Sequence, residues 1–205
     1  MKNIKITEAN QIFLKECFIK IITRAIKLGY DIIYIDESAL LSGNNNYRYW
    51  RSQNKTIFFK LAPPKRVNLL LEVNSKEVIY HKINISNTNE DELLSFIRGL
   101  LEKISTSGIN KYLIVLDNLS CHKTPKVINY FIENKINIVF NVTYVSEFNN
   151  VELCFRNLKR NIYLKLNESI EDTIKDLDLL LKGSNTSNVL LKNFKSTINR
   201  YLICI

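Results

Sequence analysis

Two stretches decide the fold: DIIYIDES at residues 31–38 and KYLIVLD at residues 111–117. Each contains four consecutive apolar residues, at 32–35 and at 113–116, a pattern typical of a strand that is covered on both faces of a sheet. Each apolar run leads directly into an aspartate, Asp36 in the first stretch and Asp117 in the second. We therefore predict two buried strands, over 30–37 and 111–117, that finish at these carboxylates.

The segments around these strands alternate between helical and extended periodicity. An N-terminal helix at about 7–28 has Leu14, Phe18, Ile21, Ile22 and Ala25 on one face, which predicts its buried side. Further helices are predicted over 93–107, from Pro125 onward, around Glu152, over 169–183 and over 189–202, with the last two belonging to a C-terminal region of about 167–205. Further strands are predicted over 66–73 and 77–83 as a hairpin, over 136–140, and over 56–61.

This order of elements predicts an α/β fold with a mixed sheet. Short apolar strands joined through a crossover helix are expected to be parallel and adjacent, so the strands ending in Asp36 and Asp117 should lie side by side. Their carboxylates would then meet at one end of the sheet, where open α/β sheets bind ligands.

Length and composition limit the class of protein. The chain has 205 residues, is 46% hydrophobic and 24% charged, and is expected to form a single domain over 1–205. Lysine and arginine exceed the acids by a net charge of +9, which favours a polyanionic partner. The four cysteines form no C-x-x-C pair, so we expect reduced thiols in an intracellular protein, without a zinc ribbon or a disulfide framework. The longest apolar runs are too short for a membrane span, and the first residues lack the core of a signal peptide.

Carboxylates gathered at one end of a sheet repel one another unless a cation neutralises them. A few hard oxygen ligands suit Mg²⁺ or Mn²⁺ rather than zinc. Two such ions about 4 Å apart would activate a water or a 3′-hydroxyl and stabilise the leaving oxygen of a phosphodiester. For either aspartate alone, the capping of a turn is the competing interpretation.

Three blocks of the chain resemble the motif blocks of DDE transposases of the mariner superfamily and its bacterial insertion-sequence relatives. They are IDES at 35–38, VLDNLSCHK at 115–123, and YVSEFNNVE at 144–152 followed by Leu158 and Lys159. Trp50 and the pair Lys65 and Arg66 fit the stretch that usually follows the first block.

The resemblance implies a ribonuclease-H-like mixed sheet with helices on both faces. It also implies Asp36, Asp117 and Glu152 as the catalytic and metal-binding triad, with two Mg²⁺ or Mn²⁺ ions as cofactors. The implied activity is endonucleolytic DNA cleavage at transposon ends and strand transfer to target DNA, by a mobile-element enzyme that acts as a homodimer. Such a protein works where the host DNA is, in a nucleus or in a bacterial cytoplasm and nucleoid.

Two departures from the family keep other functions open. Both prolines of the third block are replaced, by Ser146 and Asn150, which predicts a less rigid loop before Glu152. A single predicted helix precedes the first strand, so no N-terminal helix-turn-helix module is expected; a separate polypeptide would supply DNA recognition, or the chain is a truncated or split product. The alternatives are an inactive or domesticated DNA-binding protein, a ribonuclease-H-like nuclease, and an unrelated magnesium-dependent phosphotransferase.

Basic residues near the triad are the candidate DNA contacts. Arg156 and Lys159 follow Glu152 at i+4 and i+7 on one helical face, which suits either a phosphate backbone or simple solvation. The full set of predicted DNA-binding residues is Lys65, Arg66, His122, Lys123, Arg156, Lys159 and Arg160. His122 is expected to contact DNA, to orient a ligand or to stabilise its turn.

Other singled-out residues are expected to be structural. His81 is predicted to serve the hairpin, and Tyr49 and Trp50 to pack rather than to stack on a base. Glu37 should point to the side of its strand opposite Asp36.

Overall fold

The computed structural model describes residues 8–42, 65–85, 88–142, 148–163 and 170–182, together with Lys192 and Ser196. Across these ranges no helix is long and apolar enough to cross a membrane. The described elements, in chain order, are α1 (Glu8–Lys27), β1 (Asp31–Ser42), β2 (Lys65–Val73), β3 (Val78–Asn84), α2 (Glu90–Ser107), β4 (Tyr112–Leu116), a 3₁₀ turn (Ser120–Lys123), α3 (Pro125–Glu133), β5 (Ile138–Phe140), α4 (Asn150–Tyr163) and α5 (Ile170–Lys182).

The five strands form one mixed sheet in the order β3-β2-β1-β4-β5. β3, β2 and β1 are antiparallel neighbours, whereas β4 lies parallel to β1 and β5 lies parallel to β4. The prediction that the two aspartate-bearing strands are parallel and adjacent is therefore confirmed. The crossover from β1 to β4 runs through the β2–β3 hairpin and α2, so the strands of that hairpin extend the sheet on the other side of β1.

Each face of the sheet is covered by helices. Alternating residues of β1 divide between the two hydrophobic cores, because successive side chains of a strand point to opposite faces. Tyr34 belongs to the core that contains Phe18 of α1 and Phe155 of α4, whereas Ile33 belongs to the core that contains Phe96 of α2 and Phe131 of α3. Helices on both faces of a mixed sheet were predicted, and the structure confirms them.

The predicted ends of several elements are confirmed by their capping residues. Thr124 caps α3 by accepting a hydrogen bond from the Val127 amide, and Pro125 takes the first helical position. Gly29 and Gly108 follow α1 and α2 with φ of 78° and 76°, a conformation that favours glycine. Asn74 turns the β2–β3 hairpin by accepting hydrogen bonds from two following backbone amides. The strand predicted over 56–61 lies outside the described residues, as does the helix over 189–202 apart from Lys192 and Ser196.

β1 does not finish at Asp36 and Glu37, as the sequence predicted, but continues to Ser42. Pairing with β4 ends at Ile35, yet pairing with the antiparallel β2 continues to the last residue of β1. The apolar run therefore marked the part of β1 that has a strand on each side, and Asp36 is the first residue beyond it.

The buried face of α1 also differs from the prediction. Phe18, Ile19 and Ile22 are buried, whereas Leu14 and Ile21 are 42% and 47% exposed. The face of α1 that contacts the sheet includes Ile19, which the predicted face did not. Because successive residues of a helix are about 100° apart, Leu14 and Ile21 then lie at the edge of this face and remain partly exposed.

The start of α4 contains a buried amide that has no hydrogen-bond partner among the described residues. Asn150, the first residue of α4, is fully buried, and neither its Nδ2 nor its Oδ1 is paired. Burial of an unpaired polar group costs roughly 1–3 kcal/mol. This is one of the two positions where the resembled family has proline.

We predict that Asn150→Pro raises the free energy of unfolding by about 1–3 kcal/mol, because it removes the unpaired amide and because proline is favoured at the first helical position. Denaturant unfolding of the wild type, Asn150→Pro and Asn150→Ala provides the measurement. Asn150→Ala removes the amide without restricting the backbone and should gain less. Equal or lower stability of the proline variant would contradict this account of α4.

A second buried polar group lies at an irregularity between β2 and β3. Glu72 is fully buried, and its Oε2 accepts hydrogen bonds from the backbone amides of Ile79 and Tyr80 at 3.1 and 3.2 Å, where the strand register shifts. Its other oxygen has no hydrogen-bond partner among the described residues. Burial raises the pKa of Glu72 well above the ordinary value of 4.5, and the hydrogen bonds from Ile79 and Tyr80 only partly oppose that rise.

Because the folded state holds the Glu72 proton more tightly than the unfolded state does, the contribution of Glu72 is most favourable below pH 4.5 and is lost as the pH rises toward its folded-state pKa. Glu72→Gln should therefore be more stable than the wild type by a margin that grows with pH from about 4.5 upward. Thermal unfolding from pH 4 to pH 9 measures the margin, with Glu133→Gln as the matched control at an exposed position. A margin independent of pH would refute the prediction.

Candidate active site

Asp36 and Asp117 lie on one face of the sheet. Ile35 of β1 and Leu116 of β4 are the last register partners between these two strands, so Asp36 and Asp117 each follow directly after that pairing ends. Alternation along each strand directs both toward the face covered by α4, since Tyr34 and Val115, two residues earlier in each strand, belong to that core. The side-by-side placement expected from the sequence is therefore present.

Asp36 is buried and unusually basic for a carboxylate. Its side chain is 8% exposed; Oδ1 accepts a hydrogen bond from the Glu37 amide at 2.7 Å, and Oδ2 accepts one from Asn149 Nδ2 at 2.7 Å. Burial, followed by the negative charge of Asp117, raises the pKa of Asp36 to about 7, and Glu152 adds to this rise. Asp117 and Glu152 are thus close enough for their charges to act on Asp36.

Asp117 is more open to solvent. Its side chain is 29% exposed, and its Oδ1 accepts a hydrogen bond from the Leu119 amide at 3.2 Å. His122 lies directly beside it, with Nδ1 at 2.7 Å from the same oxygen, although this contact lacks the alignment of a hydrogen bond. His122 is 2% exposed. Its burial does not present the ring for contact with DNA, and its position beside Asp117 fits both the orientation of a ligand and the stabilisation of the turn.

Glu152 enters the site from the first turn of α4 and is exposed. Asn149, the residue just before the helix, caps this first turn through two hydrogen bonds. Its Oδ1 accepts from the Val151 amide at 3.2 Å, and its backbone carbonyl accepts from the Glu152 amide at 3.3 Å. Because its Nδ2 donates to Asp36, Asn149 joins the helix of the third acid to the first acid. Asn149 belongs to the third motif block, and no pattern in the sequence assigned it to the site.

The site consists of hard oxygen donors, and in the described ranges none of the three acids is paired with a lysine or arginine. Such a donor set suits Mg²⁺ or Mn²⁺. The three side chains as placed do not yet enclose an ion: no group of three histidine, cysteine or acidic side chains among the described residues is close enough to hold one. Such a site would be built from Asp36 and Asp117 on neighbouring strands and from the exposed Glu152 on α4, the helix that covers this face.

The structure brings part of the predicted DNA-binding set to this face: Arg156, Lys159 and Arg160 lie on the helix that carries Glu152, whereas alternation with Leu70, a residue of the core of α2 and α3, directs Arg66 to the opposite face. Arg156 and Arg160 are exposed on α4, while Lys159 is half-buried. The exposed Lys123 donates to Asn118, the residue that follows Asp117, and its Nζ lies 4.9 Å from the centre of the Phe140 ring. The predicted set also includes Arg66, which is exposed and donates to Asn68 at 2.9 Å. The side chain of Lys65 lies outside the described residues, as do Tyr49, Trp50 and Ser146.

The structural role predicted for His81 fits its surroundings, because His81 Nε2 on β3 lies 2.7 Å from Asp178 Oδ1 on α5. Glu37 lies near Cys121. Burial raises the pKa of the Cys121 thiol, and the negative charge of Glu37 adds to that rise. Cys17, Cys121 and Cys154 are free thiols, and Cys204 lies outside the described residues.

Comparison with solved structures shows the same fold in Mos1 transposase. The chain is similar to the pre-cleavage Mos1 transpososome with a TM-score of 0.79 at 13% identity, and this match covers 97% of the chain but 62% of the Mos1 chain. The Mos1 strand transfer complex gives 0.77 at 13% identity, covering 97% of this chain and 61% of the other. The isolated catalytic domain of Mos1 mariner transposase gives 0.74 at 15% identity, covering 98% and 94%. The chain thus spans about three fifths of the length of the Mos1 protein and nearly all of its catalytic domain.

These matches confirm the expected ribonuclease-H-like fold. A comparison with curated protein sequences finds no significant match. The sequence profile described as DDE superfamily endonuclease matches residues 31–175, a range that contains Asp36, Asp117 and Glu152. The chain therefore belongs to the DDE superfamily endonucleases.

Proposed function

We propose that the chain is the catalytic domain of a transposase that cuts DNA at transposon ends and joins the freed end to target DNA, with Asp36, Asp117 and Glu152 as its metal-binding triad. The observation that carries the proposal is the placement of Asp36 and Asp117 in register on one face of the sheet, with Glu152 on the helix that covers that face. The Mos1 structures of like fold include paired-end and strand transfer complexes, which supports DNA as the substrate.

Divalent metal ions are the proposed cofactors, two of them by the resemblance to the family. Mos1 catalytic-domain structures with Mg and with Mn support this choice. When bound, such ions would supply a nucleophile from water or a 3′-hydroxyl and would stabilise the leaving oxygen. Asp36, Asp117 and Glu152 would be the residues that hold these ions, with Glu152 contributing from α4.

The chain's own residues give each acid a distinct task. Asp36 is fixed by two hydrogen bonds in a buried position, which suits a ligand that defines the place of an ion. Asp117 is partly open to solvent and therefore to a substrate phosphate, while His122 restricts its movement from the buried side. The exposed cations of α4, Arg156 and Arg160, together with Lys123, would hold the flanking phosphates.

The alternative is a DNA-binding protein that no longer cuts, and it rests on the two replaced prolines. Of these two positions, the structure describes Asn150. Its unpaired amide weakens the start of α4 without displacing Asn149 from Asp36. The two functions differ in whether DNA is cleaved, so a cleavage assay separates them. A homodimer, a separate DNA-recognition polypeptide and a location with the host DNA remain part of the transposase proposal.

We predict that the purified protein nicks supercoiled plasmid DNA in the presence of Mg²⁺ or Mn²⁺, and that Asp117→Asn lowers the rate by about 100-fold or more, because several kcal/mol of metal-dependent stabilisation is lost. Agarose gel quantification of nicked product over time is the measurement. Asp91→Asn is the matched control: it makes the same change of charge on α2, across the sheet from the triad, and should nick like the wild type.

The outcomes separate the candidates. Equal nicking by the wild type and Asp117→Asn would contradict the assigned triad. Metal-independent DNA binding by the wild type without nicking would contradict catalysis and favour the DNA-binding alternative.

A further inference from the structure

We infer that Asn149 is a positioning residue whose amide holds Asp36 and the first turn of α4 together, so that the first and third acids present a fixed ligand set to the metal ion. The inference rests on the proposed function and adds a residue that neither the triad nor the basic face includes.

The side-chain amide of Asn149 is used at both of its ends. Oδ1 accepts a hydrogen bond from the Val151 amide at 3.2 Å and thereby caps α4, while Nδ2 donates to Asp36 Oδ2 at 2.7 Å. A backbone N–H can pair only with the side-chain oxygen of Asn149, and a carboxylate can pair only with its side-chain nitrogen. The two partners therefore fix the orientation of the amide.

The backbone of Asn149 extends this link to the third acid. Its carbonyl accepts from the Glu152 amide at 3.3 Å, so one residue contacts Asp36 through its side chain and Glu152 through its main chain. Asn149 is 9% exposed and Asp36 8%. With so little solvent access, water is a poor substitute for the lost amide.

Asparagine suits this position better than the other residues that cap helices. Serine and threonine offer an oxygen to the helix but have no second group that reaches Asp36. Aspartate would cap the helix equally well, yet it would place a second carboxylate against Asp36. Capping and carboxylate contact can therefore be separated by substitution.

The hydrogen bond also sets how Asp36 meets an ion. Each oxygen of Asp36 accepts one protein hydrogen bond, from Glu37 or from Asn149, and each retains lone-pair capacity. The rotation of the carboxylate is fixed by these two donors. Partners that orient a metal ligand in this manner are worth roughly 10–100-fold in metal affinity.

The test measures Mn²⁺ affinity by isothermal titration calorimetry for the wild type, Asn149→Ser and Asn89→Ser. Asn89 is the matched control because its Oδ1 caps α2 by accepting from the Glu92 amide at 3.0 Å, without contacting a triad acid. We expect Asn149→Ser to bind Mn²⁺ roughly 10–100-fold more weakly and Asn89→Ser to bind like the wild type. Metal-free thermal unfolding should change little in Asn89→Ser, which retains a capping oxygen, whereas Asn149→Ser should melt at a lower temperature because it leaves Asp36 Oδ2 without its hydrogen bond in a buried position.

Mn²⁺ binding by Asn149→Ser with wild-type affinity would overturn the inference and leave the proposed function standing. Absence of Mn²⁺ binding in the wild type itself would overturn both. If Asn149→Ser does not fold, Asn149→Thr, which also keeps a capping oxygen, is measured in its place: a wild-type Mn²⁺ affinity overturns the inference, and a 10–100-fold loss supports it. A loss of affinity equal in Asn149→Ser and Asn89→Ser would assign the effect to helix capping and would also overturn the inference.

Discussion

The repulsion between carboxylates brought side by side is the constraint on which this site depends. The parallel pairing of β1 and β4 places Asp36 and Asp117 one residue beyond a shared register position, and Glu152 adds its charge from α4. Burial increases the cost, and the pKa of Asp36 accordingly rises to about 7. A divalent cation removes this conflict, because it replaces repulsion among the acids by attraction to a common centre.

The remainder of the fold holds these charges in place. Two hydrophobic cores fix β1 between α1, α4 and α5 on one face and α2 and α3 on the other. Hydrogen bonds then set the local geometry, with Asn149 joining Asp36 to α4 and Asn74 turning the hairpin that extends the sheet. A rigid sheet with a capped helix start is what a metal-dependent phosphodiester reaction requires, since its ligands must keep their positions.

The sequence predicted what depends on local pattern. The apolar runs before Asp36 and Asp117 gave two parallel, adjacent strands, and capping residues such as Thr124 gave helix starts. Properties set by distant partners were not predictable: β1 continues beyond its apolar run because β2 pairs with it, and the buried side of α1 is set by how the helix seats on the sheet. The burial of His122 and Glu72 depends on the elements that pack over them, and the bond from Asn149 to Asp36 joins residues 113 positions apart, so the periodicity of the sequence carried no signal for them.

The central claim is that the triad binds a divalent ion, and anomalous diffraction from a crystal of the protein soaked in Mn²⁺ tests it most directly. The account predicts an anomalous peak in contact with carboxylate oxygens of both Asp36 and Asp117, at the roughly 2.0–2.2 Å typical of small hard cations. A well-occupied Mn²⁺ that touches neither aspartate, or an empty triad at millimolar Mn²⁺, would contradict it.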